Sequence, residues 1–175
     1  MIRSNKRKIG IFGGSFDPPH KGHLKISKIA INKLSLDELY WCITKKNPFK
    51  NKPFFSLLNR TKKSKFLTVK VKKIKIKYFE SKIRSNASID LIKYLKKKNR
   101  GDEFFLIIGS DNLINFHRWK KWKLLTKLVK IVVFSRKDYD IKLRKFVIFK
   151  KVKNIIYIKN KPINISSTQI RKKLT

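Results

Sequence analysis

Apolar and polar positions along the chain follow two periods, one typical of strands and the other typical of helices. Apolar or alternating runs predict strands at residues 8–12, 38–43, 69–79, 104–108, 130–134 and 154–159. Helical spacing predicts helices at residues 22–34, 55–66 and 88–97, and around Leu113, Phe116, Trp119 and Trp122. Residues 44–53, which contain two prolines, predict a loop. The alternation of strand and helix predicts an α/β fold built on a mostly parallel sheet, with ligands at the carboxyl ends of its strands.

The length and the cysteine content limit which classes of protein the chain can belong to. The 175 residues are long enough to bury one core, so residues 1–175 are expected to form a single domain, with a flexible basic N-terminus at residues 1–7. Cys42 is the only cysteine, which excludes an intramolecular disulfide and a cysteine zinc site and favours a reducing cytoplasm. No apolar run approaches the roughly 18 residues of a membrane span, so no membrane partner is expected.

The charge of the chain is extreme, because 47 Lys and Arg stand against 10 Asp and Glu and give a formal net charge of +37. The lysines are spread along the whole chain, as in residues 70–77 (KVKKIKIK), which favours a general drift toward lysine over a dedicated nucleic-acid surface. Nucleic acid is therefore expected only as a nonspecific partner. In either case a strong positive potential would draw phosphorylated ligands toward a cleft.

The first chemical candidate is the stretch after the first predicted strand, residues 13–24 (GGSFDPPHKGHL). A strand, a Gly-Gly turn and a helix start let the backbone approach a phosphate, whose charge the helix N-terminus favours. His20 and His23 are three residues apart, so both imidazoles can face one side of the first helical turn. A metal pair would need a third ligand, and a histidine base would need a carboxylate, and this acid-poor chain offers few of either. Imidazoles that donate to phosphate oxygens need no such partner, which favours a phosphate site over these uses and over two unrelated surface histidines.

Two further segments carry polar groups that suit a nucleotide. Residues 165–171 (ISSTQIR) open the last predicted helix with a Ser-x-x-Gln capping box and place an arginine on its first turns, which makes a compact anion site. Residues 109–111 (GSD) follow the strand 104–108, where a turn can present a carboxylate to a ribose or adenine. Trp119 and Trp122 follow three apart and are interpreted as half-buried packing.

These segments resemble the signatures of nucleotidyltransferases of the HxGH type. Residues 13–24 are similar to their G-G-[ST]-F-D-P-x-H-x-G-H, and residues 165–171 to their I-S-S-T-x-I-R. With the GSDNL…FHRW segment between them, the chain from residue 8 to residue 174 resembles the bacterial nicotinate-nucleotide adenylyltransferases. The resemblance implies a Rossmann-like α/β fold of the nucleotidyltransferase type, with a mostly parallel sheet flanked by helices.

The resemblance also implies an activity in NAD biosynthesis. The 5′-phosphate of nicotinate mononucleotide would attack the α-phosphorus of ATP, giving deamido-NAD and pyrophosphate. Mg²⁺ that accompanies ATP is the implied cofactor, and no residue of the chain is assigned to a metal. Such a reaction depends on positioning and on stabilisation of charge, which imidazoles, a helix N-terminus and arginine can supply.

Site residues follow from the same resemblance. His20, His23 and Arg171 are expected to be catalytic. ATP is expected to contact Gly13, Gly14, Ser15, Phe16, His20, Gly22, His23, Gly109, Asp111, Arg136, Ser166, Ser167, Thr168 and Arg171. The acceptor nucleotide is expected to contact Lys50, Ser88, Trp119 and Lys120.

Three alternatives stay open. The family has a Tyr-Thr or Trp-Thr pair where this chain has Ala87 and Ser88, which leaves a preference for nicotinamide mononucleotide open. Phosphopantetheine adenylyltransferases share the fold and reaction type, but they usually carry threonine at the position of His20. A nucleic-acid-binding protein without catalysis is the alternative from a different class, and it would require neither His20 nor His23.

Overall fold

A six-stranded parallel sheet forms the centre of the computed structural model, which describes residues 6–49, 51–136, 154–161 and 164–174. The strands are β1 (Lys8–Gly14), β2 (Glu38–Ile43), β3 (Ile74–Lys77), β4 (Glu103–Gly109), β5 (Lys130–Phe134) and β6 (Ile155–Ile158). Their order is β3-β2-β1-β4-β5-β6, and every neighbouring pair is parallel. This confirms the predicted α/β fold and places the reversal of strand order between β1 and β4, where ligands bind in open parallel sheets.

Helices cover both faces of the sheet. They are α1 (Lys21–Lys33), α2 (Leu57–Thr68), α3 (Glu80–Ile83), α4 (Ser88–Lys98), α5 (Ser110–Ile114), α6 (Trp122–Leu128) and α7 (Ser167–Lys172). Successive strand side chains point to opposite faces, so Ile9 and Ile11 join one core with α4 and α6, while Phe12 joins the other with α1. After a charged first residue, the central strands β1 and β4 contain only apolar residues and glycine, which is typical of strands buried on both faces.

Two predicted elements are wrong in extent. The strand predicted at residues 69–79 covers only Ile74–Lys77, because Val69 keeps helical backbone angles at the end of α2 and the amide of Val71 still bonds to the carbonyl of Thr68. The single helix predicted through Leu113 and Trp122 is broken. Trp119 is extended and Lys121 has a positive φ of 50°, which separates a short 3₁₀ turn (Phe116–Arg118) from α6.

Most of the predicted basic N-terminus, residues 1–5, lies outside the described residues. Arg7 lies within them, and its guanidinium forms an ion pair of 2.8 Å with Asp102, while its carbonyl accepts the amide of Glu103. Among the described helices, none is long and apolar enough to cross a membrane.

Candidate active site

A cleft of about 1570 Å³ opens at the carboxyl ends of β1 and β4, where the strand order reverses. Every predicted site residue that the structure describes lines this one cleft, from Gly13 near the start of the chain to Arg171 near its end. Lys50, predicted to contact the acceptor, lies outside the described residues. The structure therefore brings together the three sequence segments that the motifs singled out.

The two histidines cap helix α1. His20 is the N-cap residue, and its Nδ1 accepts the amide of Gly22 at 3.1 Å. His23 reaches back, and its Nδ1 accepts the amide of His20 at 3.2 Å. This is a capping box in which two imidazoles take the places usually held by Ser or Thr and by Glu or Gln. Because each Nδ1 accepts a backbone N–H, the proton of each neutral ring is on Nε2, which makes Nε2–H the donor of both side chains.

The environment of His20 keeps its ring uncharged. The side chain is 7% exposed, and its burial, with a smaller contribution from the positive charge of Arg136, lowers the pKa of His20 to about 4. A neutral imidazole is what the hydrogen bond from Gly22 requires, since a protonated ring has no acceptor nitrogen.

Acid is expected to destabilise the protein partly through His20. Unfolded His20 titrates near the ordinary pKa of about 6.5, and folded His20 near 4, so the unfolded chain takes up the proton first as pH falls. The contribution of His20 to the free energy of unfolding is therefore complete above about pH 6.5 and is lost as the pH falls toward 4. Urea titrations at about pH 7.5 and about pH 5 measure how much the free energy of unfolding falls between the two. This fall should be smaller for His20→Asn than for the wild type, since asparagine caps a helix without titrating. Equal falls for the two proteins would contradict the lowered pKa.

The C-terminal segment docks onto the loop between β1 and α1. Arg171 on α7 donates from Nη1 to the carbonyl of Asp17 at 2.5 Å and from Nη2 to the hydroxyl of Thr168 at 3.1 Å. Ser167 donates its hydroxyl to the carbonyl of Pro18 at 2.9 Å. The two bonds of Arg171 use two of the five N–H groups of a guanidinium, so they orient it at the cleft without exhausting its donors.

Helix α7 begins as predicted, with one difference at its cap. Ser166 is the N-cap, and its hydroxyl oxygen accepts the amide of Gln169 at 3.2 Å. The Gln169 side chain accepts from that same hydroxyl at 3.2 Å, where a full capping box would bond it to the Ser166 backbone.

The turn after β4 presents a carboxylate to the cleft. Asp111 Oδ2 accepts from Arg136 Nη1 at 2.9 Å, and the Arg136 amide donates to the hydroxyl of Ser110 at 2.9 Å. Asp111 Oδ1 is buried with no hydrogen-bond partner in the described structure. A Cβ at Gly109 would collide with Asp111 Oδ1, so a larger residue would require the carboxylate to move. The turn thus leaves a buried acceptor oxygen beside a fixed guanidinium.

The predicted acceptor residues lie at the start of α4 and after the 3₁₀ turn. Ser88 is the first residue of α4, and Trp119 is half-buried against Phe116, with ring centroids 5.1 Å apart. Lys120 Nζ donates to Asp90 Oδ2 at 2.9 Å, and this bond, with one from Ser85, holds the pKa of Asp90 below its usual range. Lys120 is therefore tied to α4 at the cleft wall.

Some residues that line the cleft were not among the predicted site residues. Arg118 lies 5.5 Å from the ring centroid of Phe49, which is in the loop after β2, and both side chains line the cleft. Glu80 on α3 accepts from the hydroxyl of Thr44 and from the amide of Lys45. These residues meet only through the folding of loops that are distant in sequence.

Comparisons with known proteins agree with the geometry. The cytidylyltransferase-like family model matches residues 11–173. A protein of Pelagibacter ubique (strain HTCC1062) named "Probable nicotinate-nucleotide adenylyltransferase" is 49% identical over 98% of this chain and 96% of its own length. A protein of the same name from a Nitratiruptor species is 39% identical over 77% of this chain and 76% of its own length.

A solved structure shares the fold. Plasmodium falciparum nicotinic acid mononucleotide adenylyltransferase, complexed with NaAD, superposes with a TM-score of 0.81 over 97% of this chain and 84% of that chain, at 24% identity. The cleft, its motifs and these similarities have one consistent explanation: the chain belongs to the cytidylyltransferase-like family and, within it, to the nicotinate-nucleotide adenylyltransferases.

Proposed function

We propose that this chain transfers the adenylyl group of ATP to nicotinate mononucleotide, in a step of NAD biosynthesis that gives deamido-NAD and pyrophosphate. The observation that carries the proposal is the contact between the two ends of the chain. The imidazoles of His20 and His23 cap α1, and Arg171 is bonded to the loop just before them, so the three side chains that we propose bind phosphate border one cleft. Membership in the family indicates which reaction is catalysed, and the cleft contains groups suited to that reaction.

The proposed chemistry is a direct displacement at phosphorus. An oxygen of the acceptor 5′-phosphate forms a bond to the α-phosphorus of ATP, the bond from that phosphorus to the oxygen bridging to the β-phosphate breaks, and pyrophosphate leaves. Negative charge grows on the α-phosphate and on the departing oxygen, where the Nε2–H groups of His20 and His23 would donate. Arg171, with Ser166, Ser167 and Thr168, would hold the triphosphate from the opposite side.

The adenosine would lie against the turn after β4. Asp111 Oδ1 is a buried acceptor that lacks a donor in the described structure, and such an atom is costly unless something bonds to it. Asp111 lines the cleft, and a ribose hydroxyl is a donor of the right kind for its carboxylate group. Gly109 would let the ligand approach the backbone, and Arg136 would hold the carboxylate in place through the 2.9 Å bond to Asp111.

Mg²⁺ is proposed to enter with ATP, without a dedicated set of protein ligands. Among the residues that the structure describes, no group of three His, Cys, Asp or Glu side chains could hold a metal ion. The cleft carboxylate of Asp17 accepts the amides of Phe54 and Phe55 at 2.7 and 2.8 Å, and that of Asp111 pairs with Arg136. The donor set of the described cleft therefore does not fit an ion held by the protein alone.

An acceptor assay tests the proposal. Purified protein with ATP, Mg²⁺ and nicotinate mononucleotide should release pyrophosphate and form deamido-NAD, with kcat/KM roughly tenfold or more above that for nicotinamide mononucleotide. The reason is that Arg118 and Lys120 line the cleft, and a hydrogen bond to a charged group contributes more than one to a neutral amide. Phosphopantetheine serves as the control acceptor, with no turnover expected. The proposal fails if neither mononucleotide reacts, and the acid preference fails if nicotinamide mononucleotide reacts faster.

A further inference from the structure

Arg60 on α2 is a buried cation that the proposed chemistry leaves unused. The residue is 1% exposed, and its guanidinium donates four hydrogen bonds to backbone carbonyls. Nε donates to Phe55 at 3.0 Å, Nη1 to Ser15 at 2.6 Å and to Thr44 at 2.7 Å, and Nη2 to Lys45 at 3.1 Å. The four acceptors belong to two loops that border the cleft, the β1–α1 loop and the loop between β2 and α2.

Burial of a guanidinium is costly unless its donors are satisfied, so the four carbonyls explain why Arg60 can lie inside. No carboxylate of the described residues lies within ion-pair distance of it. Burial lowers the pKa of Arg60 from its ordinary value, while Asp17 and Glu80 oppose that change. Backbone oxygens therefore provide the hydrogen bonds that compensate for the lost water.

Two carboxylates bind the same loops from other sides. Asp17, in the β1–α1 loop, accepts the amides of Phe54 and Phe55 at the end of the β2–α2 loop. Glu80 accepts the amide of Lys45, at the beginning of that loop, at 3.0 Å. Arg60 is the member of this group that contacts both loops with a single rigid side chain.

We infer that Arg60 is a positioning residue, which fixes the β1–α1 loop relative to the β2–α2 loop and thereby sets how nucleotide and acceptor meet. The inference rests on the proposed function. Its structural basis is that Ser15 follows Gly14 in the loop that leads to His20, whereas Thr44 and Lys45 open the loop on the other side of the guanidinium. A shift between the loops would move the reacting groups apart without removing any of them.

Lysine at position 60 cannot make the same set of hydrogen bonds. An ammonium has three donors around one nitrogen, whereas the planar guanidinium reaches four carbonyls from three nitrogens. Arg60→Lys therefore keeps the charge and loses the bridge. Because a displacement of about 1 Å at a reacting centre can cost about 100-fold in rate, we expect kcat to fall roughly 100-fold.

The experiment compares Arg60→Lys with Lys62→Met, a change at an exposed position of the same helix. Steady-state kinetics are measured well below the melting temperature of each variant, and ATP binding alone is measured by calorimetric titration. We expect a roughly 100-fold lower kcat for Arg60→Lys, with an ATP Kd within about threefold of the wild type, since the change removes none of the residues proposed to bind ATP. Lys62→Met should behave as the wild type.

Chemical rescue provides a second measurement. Arg60→Ala leaves a buried space lined by carbonyls, and millimolar guanidinium should restore kcat there while it leaves Lys62→Met unchanged. A kcat of folded Arg60→Lys within about threefold of the wild type would overturn the inference. Failure of every Arg60 variant to fold would also overturn it, by assigning Arg60 to stability alone. Absence of turnover in the wild type would instead defeat the proposed function, so the two failures are distinguishable.

Discussion

We expect the replacement of His23 with alanine to lower kcat by roughly 100- to 1000-fold and to leave the fold intact. The change removes a side chain that we propose donates to charge developing on phosphate, and loss of one such donor has this size of effect in preorganised sites. The Nδ1 of His23 is held by the amide of His20, so the ring is oriented before the substrate arrives. Stopped-flow or steady-state pyrophosphate release measures the change.

Two further variants separate donation from helix capping. His23→Gln retains a residue type that completes a capping box, so it should melt near the wild-type temperature while kcat stays low. His117→Ala changes the exposed third histidine and should leave both quantities unchanged. Nearly normal turnover of His23→Ala, with a normal melting curve, would show that phosphate charge is stabilised elsewhere.

The sequence pattern predicted the strands inside the sheet well, because buried parallel strands are apolar on both faces, whereas the edge strand β3 was predicted too long. Residues 38–43 were predicted as a strand and form β2 with the same bounds, and residues 104–108 lie within β4. The prediction was wrong where apolar residues at helical spacing do not lie on one continuous helix. Residues 113–122 have helical spacing, yet Phe116 and Trp119 reach the same core from a 3₁₀ turn and the extended residue after it.

Helix α2 shows why the site could be predicted only in part. Its buried positions are polar, namely Arg60, Ser64 and Thr68, whereas Leu58 and Phe66 are 63% and 84% exposed. A hydrophobic period therefore points to the wrong face of this helix. Nothing in a lysine-rich run distinguishes Arg60 from its neighbours, because its role depends on carbonyls that distant loops supply. The motif at residues 13–24 could be found in the sequence because its proposed ligand-binding groups are close together along the chain.

The positions of the few acidic residues help to explain the high net positive charge of the chain. Two of the 10, Asp138 and Asp140, lie outside the described residues, and the remaining eight all accept a hydrogen bond or form an ion pair. They are Asp17, Asp37, Glu38, Glu80, Asp90, Asp102, Glu103 and Asp111. Carboxylates in this part of the chain occur where the fold or the cleft uses them, and lysine fills the exposed positions. The resulting potential favours capture of anionic nucleotides without defining one interaction surface.

Arg171→Ala is expected to have the second large effect, a fall in kcat/KM for ATP on the order of 1000-fold. An arginine that neutralises charge on a transferring phosphoryl group contributes on this scale. In this fold Arg171 also anchors α7, since its Nη1 donates to the carbonyl of Asp17 and its Nη2 to Thr168. Alanine removes both the anchor and the charge, so a modest drop in melting temperature should accompany the loss of activity.

The variant Arg171→Lys distinguishes the contribution of the positive charge from that of the hydrogen bonds that anchor α7. Lysine retains a positive charge on α7, but it lacks the planar group that bonds to Asp17 while presenting further N–H groups to a phosphate. We expect it to recover only a small part of the lost kcat/KM, because orientation and charge must act together at a triphosphate. Lys172→Ala, on an exposed neighbouring residue, controls for the loss of a positive charge from α7. If Arg171→Lys were as active as the wild type, charge alone would account for the role of Arg171, and its bond to the β1–α1 loop would serve only to dock the helix.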